Sequence, residues 1–544
     1  SEGGPASIGA GVALTLSTLE NVASVPDTVA ITAGGLEVRA LVAPDADNAS
    51  TVSATASSGA SGKVSVAGSV AIAIVDHETR ADLRTDVDLR GGDLVLEAVS
   101  ALKAEVRALP VGAGSQATGS VGVGLSFALA VIDDRTTAEL ADDVVVSRLR
   151  DATLTATATA ATEVEAKMGA AGGDVTVTPA IAIALSTVTA TARLGTGALS
   201  LTGDLSATAD LNASAKASAG AEASGAATAA VGVALGLAIG NHEALAILAR
   251  TVSAGGDVTL GARVVSATTG EASASAAGSP EEEPSDSTPD AQNRTGVDKK
   301  VGGARDHADG VAGDRGMATS AGADKGTPAA ETSGGSVSVA AAVGIALSFV
   351  RAATIVTAPS IVASGAVTFA TALNADAIST ADGSATDGGS AAIGAGVAIS
   401  LARHENLAVV PASLTVTAHD LVLSATVAVD GADDTAEVSA TASSGAAGGV
   451  SVAGSVALAL VDQQTLAAIR GTVVLTGGDA SLTAASRVKA TARALPDGVG
   501  VQASGSVGIG VSFALVLLDD TVTALVDDEV SVTGARDLRL SASA

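Results

Sequence analysis

Val64 to Leu83 reads VSVAGSVAIAIVDHETRADL, and its period of two decides the fold. Small residues alternate with β-branched ones through Val64, Val66, Val70, Ile72 and Ile74, as in a strand with two unlike faces. The tetrad Asp76-His77-Glu78-Thr79 breaks the apolar run, so a tight turn is expected there, with a second apolar run beginning near Ala81.

The same text returns along the whole chain. With the Ala that follows the tetrad as anchor, nine copies lie at Ala23, Ala81, Ala138, Ala192, Ala246, Ala353, Ala408, Ala467 and Ala524. The anchors are 58, 57, 54, 54, 107, 55, 59 and 57 residues apart, and the one long interval contains an insertion. A period near 55 residues is that of a stacked repeat architecture. A longer repeat overlies it, because the last three anchors follow the first three by 385, 386 and 386 residues. SATASSGA at Ser53–Ala60 returns at Ser439–Ala446, and GSVGVGLSFAL from Gly119 returns as GSVGIGVSFAL from Gly505. Duplication in blocks suits a stack whose units touch only their neighbours.

Each unit is expected to hold three strands. The first is the Gly-x-Val run, and the second is a short segment such as Ala81 to Leu89. The third follows a Gly-Gly-Asp turn, as at Gly91-Gly92-Asp93, Gly255-Gly256-Asp257 and Gly477-Gly478-Asp479, and a Gly/Ser-rich loop then leads to the next unit. One such unit of Ala-sized side chains buries too little to offset its ordering entropy, and stacking supplies both the core and the hydrogen-bond ladder. The expectation is an all-β, elongated β-solenoid of nine ~55-residue repeats. Its rival is a lateral stack of antiparallel β-hairpins, since the connections are short enough for hairpins. The period leaves open whether a repeat makes one coil or two.

Composition agrees with a thin, repetitive core. The 544 residues include 4 Phe and no Trp, Tyr or Cys, while 47% are hydrophobic, so the apolar surface is almost all Ala, Val, Leu and Ile. Without Trp or Tyr, the aromatic girdles of a membrane barrel cannot be built, and no apolar run reaches the ~20 residues of a membrane helix. A net charge of −29 sets aside nucleic acid and anionic lipid as partners. The chain opens just before one repeat and closes inside another, as an excerpt of a longer protein would.

Three regions follow: repeats one to five over 1–278, an inserted segment over 279–335, and repeats six to nine over 336–544. The insertion carries Pro280, Pro284, Pro289 and Pro328 and the run Glu281-Glu282-Glu283, the composition of a disordered loop. It holds 11 acidic and 6 basic residues, so 24 of the 29 net negative charges belong to the repeats.

Catalytic motifs are weak. His77, His242 and His404 fall at nearly the same place in their units, and Asp134 or Gln463 takes that place in others, so they are expected to be corner residues rather than a catalytic site. Ser61-Gly62-Lys63 lacks the Ser/Thr of a phosphate loop, and Ser100-Ala101-Leu102-Lys103 has no partner motif of a serine hydrolase. The threonines from Thr153 to Thr159 form an ordinary exposed strand face. No cofactor is expected. Calcium is the ion for which the paired acids Asp133, Asp134, Asp142, Asp143, Asp519, Asp520, Asp527 and Asp528 are candidate ligands, as carboxylate oxygens at turns suit its loose geometry.

Runs such as GSVAIAIVDHETRADL, GSVGVGLSFALAVIDDRTTAEL and GSVALALVDQQTLAAI, followed by GGD turns and strands such as LVLEA or TLTATA, resemble the repeats of giant bacterial surface proteins, the filamentous-haemagglutinin-like and large repetitive adhesins. The resemblance implies a secreted, extracellular or cell-surface, non-enzymatic structural rod serving adhesion or biofilm attachment. Implied partners are other copies or flanking repeats joined end to end, surface glycans, or host matrix, without membrane insertion. The alternatives are a self-assembling envelope layer or sheath subunit, and a β-helical polysaccharide-active enzyme.

Overall fold

The computed structural model describes residues 5–42, 49–110, 117–226, 228–278, 335–431, 433–496, 503–504 and 506–544. Among them every regular element is a strand, and every ladder between strands is parallel. The one antiparallel bridge, Asp430 to Asp433, closes a local turn. The hairpin stack is thereby excluded, and the fold is a parallel β-solenoid.

Register gives the coil. Val64 pairs with Ala6 on one side and with Val121 on the other, so one repeat makes one coil. Eight of the nine anchors stack in one column. The sixth does not: Ala246 pairs with Thr354, one residue beyond Ala353. Consecutive alanines at 352 and 353 hide that slip in the sequence.

Three walls of parallel strands, here called sheets, enclose the stack; the two long ones are joined into a single 20-stranded sheet and the short strands form sheets of three and six. The first holds the Gly-x-Val strands, from Ala6–Val25 and Val64–Leu83 to Val507–Val526. The second holds the strands after the GGD turns, such as Leu94–Pro110 and Leu205–Ala226. Short strands such as Val87–Asp88 and Thr251–Ala254 stack at the corner between them. The expected turn at Asp76–Thr79 is absent. Val64–Leu83 runs straight through it with His77 and Thr79 inward and Asp76 and Glu78 outward. Polar residues here keep the alternation of the strand, which a count of hydropathy alone mistakes for a break. The second strand accordingly shrinks from Ala81–Leu89 to Val87–Asp88. In three coils no loop joins the sheets, because single strands bend from the second sheet into the first: Ala152–Leu194, Ala366–Val410 and Ala436–Ile469.

The inserted segment 279–335 lies outside the described residues, save Gly335 itself, and leaves the stack intact. Ala226 pairs with Gly278 and Ala229 with Val337, so the coils on either side of the insertion are neighbours.

The interior tapers. Near the corner it is filled by Leu, Val, Ile and Phe, among them Leu83, Leu96, Leu140, Val258 and Phe369. Away from the corner the core is almost all Ala, and the two long sheets close on each other. A Cβ placed on Gly236 would sit 2.0 Å from the Glu271 carbonyl oxygen opposite, and one on Gly396 2.2 Å from that of Ser443. Glycine is needed there because backbone meets backbone. The larger aliphatics of the first sheet therefore face out: Val70, Ile72 and Ile74 alternate with buried Ala71, Ala73 and Val75.

Candidate functional site

Between the two apolar clusters runs a column of mostly polar side chains, sealed inside the stack except at the last coil, where Asp520 is half-buried. At one register position of the first sheet stand His77, Asp134, His242, His404, Gln463 and Asp520, with apolar Leu19, Val188 and Val350 in the remaining coils. Serines complete it from the facing strands and from two residues upstream. His77 Nδ1–H donates to Asp134 Oδ1 (3.0 Å), and Ser100 Oγ–H donates to Asp134 Oδ2 (3.1 Å). His242 bonds Ser266 Oγ through Nδ1 (2.7 Å) and Ser186 Oγ through Nε2 (3.3 Å). Farther along, Ser348 Oγ–H donates to His404 Nε2 (3.1 Å), His404 Nδ1–H to Gln463 Oε1 (3.4 Å), Gln463 Nε2–H to Ser486 Oγ (2.8 Å), and Ser486 Oγ–H to Asp520 Oδ2 (2.9 Å).

Ser100, His77 and Asp134 are the residue types of a hydrolase triad in a different order. The carboxylate lies between hydroxyl and imidazole, so the ring is not placed to take the serine proton. All three are at most 1% exposed. The column's chemistry is that of a satisfied buried network, which fixes register because each hydroxyl and ring needs its partner in the next coil. Burial pushes His242 down to about 3. Burial also takes His404 to about 4, partly opposed by its bond to Gln463. Both rings are neutral at pH 7.

A second polar device sits at the corner. The fully buried Arg250 guanidinium donates to the carbonyls of Gly195 (2.8 Å), Val144 (3.1 Å) and Ala141 (2.8 Å), tying three turns together. Desolvation lowers it to about 10, which leaves it charged. At the GGD turns, aspartates stack. Asp151 accepts the backbone N–H of Asp204 (2.8 Å), Asp204 that of Asp257 (2.7 Å), and Asp420 that of Asp479 (2.7 Å). Arg150 and Arg536 offset the like charges by pairing with Asp93 and Asp479.

The calcium candidates are divided by the strand they sit on. Asp134 points inward to His77, while Asp133 points outward to Arg135. Asp142 lies at the corner, where it accepts Thr196 N–H (2.7 Å) and Arg193; those bonds, the backbone one first, hold it below the usual carboxylate range. Asp143 accepts Thr196 Oγ–H (3.2 Å) in a left-handed backbone conformation, φ 59°. In the last coil Asp520 binds Ser486 and is raised by burial, Asp519 accepts Thr521 Oγ–H (3.5 Å), and Asp527 accepts the N–H of Asp528. Among the described residues no group of three or more His, Asp or Glu is arranged to hold a metal.

Sequence reading found the three histidines but placed them at corners, it discounted Ser100 as a stray Ser-x-x-Lys match, and it passed over Ser266, Ser486 and Arg250. The available signal was parity: His77 is an even number of residues from Ala71, Ala73 and Val75, so it shares their face.

No protein-family model, no curated protein and no solved structure matches the chain.

Proposed function

We propose that the chain is a non-enzymatic structural segment of a large bacterial surface protein, a stalk or fibre piece that carries other modules away from the cell. The observation behind this reading is uniformity: nine coils repeat one backbone path, and the His77–Asp134–Ser100 constellation among the described residues is sealed from solvent. A surface with one binding or catalytic site needs an exceptional coil, and a spacer needs identical ones. With strands about 4.8 Å apart, nine coils span about 40 Å, whereas a 20-residue strand is about 65 Å long. This piece is a broad slab whose reach grows with added copies. The strands Ala6–Val25 and Val507–Val526 each have a ladder partner on one side only among the described residues, so each presents a strand edge to which another copy can add.

Antibody labelling of intact source cells tests the location; signal only after lysis would remove the surface role. A depolymerisation screen on polysaccharides tests the enzymatic alternative, and turnover abolished by a point substitution would establish it. The envelope-layer alternative is favoured by the aliphatic outer face of the first sheet, and electron microscopy of the purified chain would reveal it as a lateral lattice.

A further inference from the structure

The outer face of the first sheet is the largest unexplained surface. On each of its nine strands, six successive outward positions carry only Ala, Val, Leu, Ile, Phe, Gly or Pro. The middle of the face shows it: Ile181, Ile183 and Leu185 in one coil stack on Leu235, Leu237 and Ile239 in the next. Polar residues begin only beyond the sixth position, with Asp76, Asp133, Arg403 and Asp462 in one border column. Strand spacing of about 4.8 Å and rise of about 3.3 Å per residue make the patch roughly 40 by 35 Å, on the order of 1,400 Å². The largest apolar patch on an ordinary monomer is about 300–600 Å². The second sheet, by contrast, turns polar residues outward, as with Ser206, Thr208, Asp210 and Asn212.

We infer that this face pairs with the same face of a second copy of the chain, giving a side-by-side dimer with two sheets in contact. The occupant follows from area, flatness and charge. A stable interface needs about 800 Å² per partner, and this face offers more than that on a flat sheet able to pack against its like at about 10 Å. A lipid surface fits less well. The patch holds no Lys or Arg to meet headgroups, the chain lacks the Trp and Tyr that anchor at an interface, and its net charge is −29. That charge lies outside the apolar field, along the border column and on the other faces, and the charges of the other faces stand beyond a Debye length of about 8–10 Å from the partner's across the apolar layer. Pairing with stack axes parallel and strands reversed sets each acidic border against the far edge of the other patch, so the borders do not meet. The inference goes beyond the stalk reading and stands on the fold alone.

The test is sedimentation equilibrium of the full chain beside the triple variant Ile183→Thr, Leu237→Thr and Ile345→Thr. All three residues point outward, and Thr keeps strand propensity. The wild type is expected at twice 51.5 kDa, and the variant at the monomer mass with an unchanged far-UV spectrum, its dimer dissociation constant raised at least ~100-fold. An Ile183→Ser single variant, expected to weaken pairing by ~10-fold, supplies the reading if the triple variant fails to fold. A monomeric wild type at tens of micromolar overturns the inference. So does a ladder of oligomers unaffected by the variants, which would place association at the open ends. Binding of the wild type to phosphatidylcholine vesicles with loss of the dimer would likewise overturn it, in favour of lipid.

Discussion

Acidification should unlock the stack through its buried histidines. His242 and His404 titrate near 3 and 4 in the folded chain, against an ordinary 6.5 when unfolded. Between those values the unfolded chain binds protons that the folded chain refuses, so stability is complete above pH 6.5 and falls as the pH drops toward 3 or 4. At pH 5 each ring has cost roughly 1.5 × 1.36, about 2 kcal/mol, and the two together about 4 kcal/mol. The control is His242→Val with His404→Val, because Val188 and Val350 already occupy the same column two coils away or less. Removing the rings takes one hydrogen-bond partner each from Ser186, Ser266, Ser348 and Gln463, a fixed penalty of up to about 1–3 kcal/mol per group that cancels when pH values are compared within one variant. Urea unfolding followed by circular dichroism at pH 7.5 and pH 5.0 gives four stabilities. The wild type should lose about 4 kcal/mol more than the double variant across that interval. Equal losses in the two proteins would mean that the rings are hydrated or charged in the folded state, and the sealed column would be refuted.

Three further outcomes test the packing. Gly236→Ala puts a Cβ 2.0 Å from the Glu271 carbonyl and should cost about 2 kcal/mol or more in thermal unfolding, whereas Gly68→Ala, with no atom within 4 Å, should be neutral or gain about 0.5 kcal/mol. Arg250→Met leaves three buried carbonyls without donors and should lower stability by about 3 kcal/mol, with faster amide exchange confined to the turns at Ala141, Val144 and Gly195. Replacing residues 279–336 by Ala-Thr copies the two-residue link between Ala226 and Ala229 one coil earlier. It should leave the far-UV spectrum unchanged and the melting temperature within a few degrees, and collapse of the strand signal would show that the insertion is part of the stack.

The repeat and its period were legible because stacking demands the same inward residue at the same place in every coil, and the anchors at Ala81, Ala138 and Ala192 meet that demand. Parallel pairing was not legible in strand patterns alone, since short turns would serve hairpins equally well. It appears only in register, where Val64 meets Val121 rather than a residue of its own coil. The tetrad at Asp76–Thr79 misled for a related reason. A polar residue on a strand signals a turn when the interior is assumed apolar, but this interior has a polar column running down it. The serines facing that column carry no local motif, and their role depends on strands 20 to 60 residues away.

Which face turns inward is the deeper question, since a one-residue slip would exchange the two sets of side chains. Simple hydrophobicity favours burying Val70, Ile72 and Ile74 over Ala71 and Ala73. Three features oppose it. The sheets approach so closely at Gly236 and Gly396 that no branched side chain fits between them. The slip would also expose His77 and Ser69 with their partners, and it would turn Leu83 and Leu140, which fill the wide end, out into water. Ladder, polar column and wide end thus agree on one register, and the aliphatic set is left outside. An outer face left apolar by the demands of the interior has to be covered by something else. A second slab with the same excess satisfies both surfaces at once.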